Sequence, residues 1–72
     1  MILGKYIRLR DDRLIILDRE IQHATRAERH EVKSAGMFIK DGPLLVTMGN
    51  SSSLEVERMP DDADVLRRFF EQ

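Results

Sequence analysis

Cysteine is absent from this 72-residue sequence, which removes disulfides, thiolate metal sites and cysteine nucleophile chemistry in one step. Long apolar runs are missing as well. No stretch approaches the roughly 20 residues that cross a bilayer as a helix, and Met1-Ile2-Leu3-Gly4 opens without the basic region of a signal peptide. A soluble, cytoplasmic protein is expected. Charge of one sign is also scarce, because the formal net charge is −1. Bulk attraction to nucleic acid or to an anionic membrane is therefore not expected. Neither an internal repeat nor a low-complexity segment occurs.

What is present fits a small folded domain. Hydrophobic residues make up 42% and charged residues 35%, and disorder would need far less apolar content. The length suits one domain, residues 1–72, with a modest core. Without disulfides or thiolate metal sites, oligomerisation is the remaining extra source of stability for so short a chain. The charge is unevenly placed. Residues 1–40 carry nine Lys+Arg against six Asp+Glu, and residues 41–72 carry three against seven. That split is compatible with a basic face and an acidic face on one body.

The clearest pattern runs from Val32 to Glu57. It reads as three strand segments, Val32 to Ile39, Pro43 to Met48 and Leu54 to Glu57. They are separated by Lys40-Asp41-Gly42 and by Gly49-Asn50-Ser51-Ser52-Ser53. An Asp-Gly pair between apolar runs signals a hairpin, since Gly tolerates positive φ and Asp bonds its own turn. Pro43 lacks an amide hydrogen and belongs at the first position of its strand. Ser34, Ala35 and Gly36 sit mid-strand, where a glycine marks a bulge or the close approach of another backbone.

Lys5 to Leu9 alternates, with Ile7 and Leu9 on one side and Tyr6 and Arg8 on the other. Asp11-Asp12 breaks the pattern, and Leu14-Ile15-Ile16-Leu17 follows, so a second hairpin turns through Arg10 to Arg13. The second strand is apolar on both faces, which suits an interior position in a covered sheet. Asp18 to Glu31 has helix-forming residues but a thin apolar stripe, and reads as a short exposed helix or a structured loop. Past Pro60, Asp61 reads as a helix cap with Asp64 three residues on. Val65, Leu66, Phe69 and Phe70 then share one helix face, which should lie on the sheet and bury two phenylalanines. The expected fold is α+β: a small antiparallel sheet of four to five strands packed by a C-terminal helix.

Each candidate for chemistry meets a plainer explanation. His23 and His30 lie seven apart with no third histidine, whereas zinc wants three or four ligands at tighter spacing; two solvent-exposed histidines are expected instead. Gly49 to Ser53 lacks the Gly-Lys-Ser/Thr of a phosphate loop and precedes a strand, so it reads as a polar hairpin loop. Asp61, Asp62 and Asp64 lack the glycine and terminal glutamate of a calcium loop, and helix capping accounts for them. Ser51 to Ser53 with a histidine and an aspartate show no nucleophile-elbow pattern, and a chain this short has little room for a substrate pocket. No metal, no cofactor and no catalysis are expected.

The one basic patch is Lys5, Arg8, Arg10 and Arg13 with Tyr6 among them, on the exposed face and turn of the first hairpin. Arginines beside an aromatic on a strand are suited to phosphate contact and base stacking, yet Asp11 and Asp12 share the turn. The first expectation is a protein-interaction or regulatory module, partnered by another protein or by its own copy as a homodimer. The alternative is a nucleic-acid-binding accessory protein using the basic N-terminal hairpin. The first is favoured because three segments offer apolar groups to both faces, while one helix covers only one.

Overall fold

The computed structural model describes residues 1–71. Strand β1 (Ile2–Leu9) is the centre of the sheet, paired antiparallel on one side with β2 (Leu14–Asp18) and on the other with β3 (Val32–Asp41). Strand β4 (Leu44–Met48) adds to β3, and the order is β2-β1-β3-β4. A second, two-stranded sheet pairs β5 (Asn50–Ser51) with β6 (Val56–Glu57), and helix α1 (Asp62–Glu71) follows. The fold is α+β, an antiparallel sheet with a C-terminal helix, as the pattern predicts. Among the described residues no helix is long and apolar enough to cross a membrane.

Both hairpins of the main sheet have turns that explain their register. Between β1 and β2, Asp12 N bonds Leu9 O (2.9 Å) and Leu9 N bonds Arg13 O (2.8 Å). Asp12 sits at φ 67°. This is a three-residue loop whose last residue is left-handed, a conformation that aspartate tolerates better than most. Between β3 and β4 the register pairs Asp41 with Leu44, so the turn is Gly42-Pro43 with Gly42 at φ 58°. Pro43 therefore lies in the turn rather than opening the strand. Its fixed φ and missing donor cost nothing there.

Each face of the sheet carries its own core. On one face Tyr6, Phe38 and Leu45 close over Leu66 of α1, with Leu14, Ala63 and Phe70 at the margin. On the other, Ile7, Leu17, Val32 and Ala35 pack with Leu54, joined by Ile15, Ile21, Ala27 and Val56. The second face is thus covered from Asp18–Glu31 and from the β5–β6 hairpin. Asp18–Glu31 is a structured loop with two 3₁₀ turns, His23–Thr25 and Arg29–Glu31, because Ile21 and Ala27 alone give it too thin a stripe for a helix.

Three sequence expectations need correction. Leu54 to Glu57 does not extend the meander. Leu54 is a buried turn residue, and only Val56–Glu57 is strand, paired with Asn50–Ser51. β2 is an edge strand, not an interior one; its double-sided apolarity is used by the two cores, with Ile16 left partly exposed. Helix α1 buries Leu66 fully, but Phe69 is 39% exposed and Phe70 is only partly covered. The third phenylalanine, Phe38 of β3, is the one in the interior.

Candidate interaction surface

The predicted basic patch does not form as a patch. Arg8 and Tyr6 point to the face that α1 covers, and both are buried, Arg8 to 2% exposure. Lys5 lies on the opposite face and is half-buried. Arg10 and Arg13 stay exposed in and beside the turn, where Arg10 Nε donates to the His30 carbonyl (2.7 Å) and Arg13 Nε to Asp11 (2.7 Å). The five residues are therefore divided among the interior, the far face and the turn.

The interior group forms a buried polar network. Arg8 donates through Nε to Asp12 Oδ1 (2.8 Å), through Nη1 to Asp61 Oδ1 (2.8 Å) and Asp62 Oδ1 (3.0 Å), and through Nη2 to Asp61 Oδ2 (3.1 Å). Asp62 Oδ1 also accepts from the Ser34 hydroxyl (2.7 Å), and its Oδ2 accepts from Met59 N (2.8 Å) and from the Tyr6 hydroxyl. Among the described residues no buried side-chain nitrogen or oxygen is left without a partner. The Asp61 contact foremost holds the Arg8 guanidinium above its ordinary value. In return Arg8 holds the Asp12 and Asp61 carboxyls below theirs. Burial, reinforced by the bond to Asp62, pushes the Tyr6 phenol up.

The three aspartates at the start of α1 thus divide their work, and helix capping does not account for all of them. Asp61 marks the helix start through its carbonyl, which accepts from Val65 N (3.2 Å), while its carboxylate serves Arg8. Asp64 pairs with Arg67 (2.6 Å). One sequence signal does point to the network. Ser34 and Gly36 stand directly across from Arg8 and Tyr6 in the register, and small residues opposite large ones make room for them. At Gly36 a Cβ would come within 3.1 Å of the Tyr6 hydroxyl and 3.0 Å of the Met48 carbonyl.

The histidines separate. His23 is buried, not exposed, with Nε2 3.0 Å from the Gly36 carbonyl, and burial lowers its pKa below the ordinary 6.5. His30 is exposed and lies near Glu28 and Glu31, their ligand-type atoms within 4.8 Å of one another. The two glutamates already serve a reciprocal capping box on the Arg29–Glu31 turn. The serines of the 49–53 loop are occupied with backbone: Ser51 Oγ accepts from Leu54 N (3.2 Å) and Ser53 Oγ from Ala24 N (3.2 Å). A groove of about 470 Å³ between the first turn and α1 is lined by Asp12, Arg13, Leu14, Val65, Arg68 and Phe69.

The feature left unexplained by packing is apolar and lies away from α1. The register places Leu3 beside Ile39 and Ile39 beside Val46, a row across three strands, with Leu44 one step along. Val46 is 53% exposed and Leu44 68%. Leu3 is exposed too, and Met37, Ile39 and Met48 are half-buried. The covering elements reach Ile7, Leu17 and Ala35 but not this end of the sheet. β4 is also an edge, and its sequence Leu-Leu-Val-Thr-Met carries no charge. Edges of that kind are usually blunted by lysine or proline within the strand. These groups stand on their own geometry, since no protein-family model, curated protein or solved structure matches the chain.

Proposed function

We propose that this protein is a cytoplasmic, non-catalytic interaction or regulatory module that works by binding another protein chain, a second copy of itself first among the partners. The observation that carries this reading is the row Leu3–Ile39–Val46 with Leu44, exposed on the sheet face opposite α1 beside an uncharged edge strand. Contiguous apolar surface of this kind marks association sites on small proteins. The buried groups His23, Ser34, Ser51 and Asp62 are engaged in the interior network or in backbone bonds. The nucleic-acid alternative has lost its support, because Tyr6 and Arg8 are buried and Arg8 faces three carboxylates.

Light scattering after size exclusion tests the reading. A self-associated species at micromolar concentration is expected. A clean monomer near 8.4 kDa at high concentration would remove self-association.

A further inference from the structure

We infer that two copies join through their β4 strands, antiparallel and about a two-fold axis at Val46, into one continuous sheet. The inference rests on the self-association proposed above and specifies its route. It starts from backbone geometry. Asp41 and Leu44 close a two-residue turn, and such a turn is closed by a hydrogen-bonded pair. Alternation along an antiparallel ladder then makes Ile39–Val46 and Met37–Met48 hydrogen-bonded pairs as well. The amides and carbonyls of Leu45 and Thr47 point away from β3. Arg67 Nη2, reaching the Leu45 carbonyl at 3.4 Å, is the one side chain among the described residues that bonds this outer row.

A second β4 satisfies those groups in a single register, its Thr47 amide replacing the long Arg67 contact on the Leu45 carbonyl. Centred on Val46, Leu45 of each copy exchanges both backbone bonds with Thr47 of the other, and all of Leu44–Met48 is paired. Shifting the axis to Leu45 or Thr47 leaves part of the strand unmatched. The isologous arrangement also extends the apolar row. Leu3, Ile39 and Val46 of one copy meet Val46, Ile39 and Leu3 of the other along one line. No charge lies within β4 to oppose this.

The other edge is less suited. β2 ends in Asp18, whose carbonyl is already taken by Ile21 N (3.0 Å) and whose carboxylate accepts from Glu20 N (3.4 Å). Pairing of five residues with a short apolar row lies at the small end of specific interfaces, so a micromolar dimer is expected.

The chain has no cysteine, so a single introduced thiol reports on its own surroundings. Val46→Cys would face its copy in a non-hydrogen-bonded pair with Cα atoms about 4.5 Å apart, inside the range of roughly 4.4–6.8 Å that disulfides span. Ile16→Cys places the thiol on the β2 edge as the control. Under mild oxidation Val46→Cys should cross-link about tenfold faster than Ile16→Cys, as a pre-positioned pair outruns one meeting by collision. Val46→Lys, at a site already half in water, should still melt cooperatively as a folded protein and run as a monomer in light scattering, because like charges would meet across the axis. A dimeric parent in which Val46→Cys cross-links no faster than the control overturns the β4 register and leaves self-association standing. So does a Val46→Lys protein that stays dimeric. A monomeric parent overturns both.

Discussion

Asp62 takes four donors on one carboxylate: Arg8, Ser34, Tyr6 and the amide of Met59. The cost of such a group appears when it is removed, since the buried donors around it are left without an acceptor. Asp62→Ala should therefore lose roughly 3–5 kcal/mol, close to the whole stability of a small domain. Urea unfolding measures it, and a loss under about 1 kcal/mol would mean that water replaces the carboxylate. His23 makes a separate prediction. Its folded-state pKa lies below the ordinary 6.5, so between the two values the unfolded chain binds the extra proton. Stability should hold above 6.5, fall as pH drops below it, and level off under the folded pKa. Melting temperature measured from pH 7.5 to 5 should show that slope in the parent and lose it in His23→Gln. Neither role was legible locally. Tyr6 and Arg8 alternate with Ile7 and Leu9 like any solvated strand face, and alternation fixes which residues share a side but not which side is wet. The partners that decide it lie 54 and 53 positions further on.

At the scale of elements, α1 shows where pattern ends and packing begins. Val65, Leu66, Phe69 and Phe70 do share a helix face, but only part of that face is buried. Leu66 sits at its centre and is fully buried, whereas Phe69 faces outward. Phe70 rests against Phe38 at a centroid distance of 5.6 Å, with the Lys40 ammonium 5.6 Å from its ring centre. Leu66→Ala should cost ~2–5 kcal/mol by leaving a cavity, and Phe69→Ala less, because Phe69 is already 39% exposed and its removal leaves no enclosed cavity. Thermal melts of the two variants check the contrast, and equal losses would mean that the helix docks differently. The strands β1 to β4 were readable because period-two alternation and turn residues are local signals. The β5–β6 hairpin was not. Its strands are two residues each, and Leu54 is buried by packing under Ile7 and Val32 rather than by belonging to a strand.

For the whole molecule, the division of the basic residues has a direct consequence for partners. With Arg8 enclosed by Asp12, Asp61 and Asp62, and Arg13 paired to Asp11, the first hairpin keeps only Lys5 and Arg10 without a carboxylate partner among the described residues, and these are divided between the far face and the turn. A mobility-shift titration on duplex DNA and on single-stranded RNA at low salt should show no salt-sensitive complex. A shift that weakened steeply with salt would restore the nucleic-acid reading. The two-faced apolarity of the sheet was legible in the residues, and so was the shortage of cover. Which end stays bare depends on how far the 19–31 loop and the β5–β6 hairpin reach across the sheet, and no local pattern encodes that distance.

The Arg8 network also sets an order of events during synthesis. β1 is translated before the rest of the fold and is a central strand, yet its Arg8 has Asp12 as its one early carboxylate, and the two further carboxylates and the acceptor of Tyr6 come from residues 61 and 62. Until those residues are made, docking that face would bury a guanidinium with Asp12 alone and leave the Tyr6 hydroxyl without its acceptor, a cost that favours keeping the face in water. The nascent sheet is thus held open on that face, and the last part of the fold to be translated acts as its latch. Chains truncated before Asp61 should remain sensitive to protease, and chains that carry residues 61–71 clear of the ribosomal tunnel should become resistant in one step.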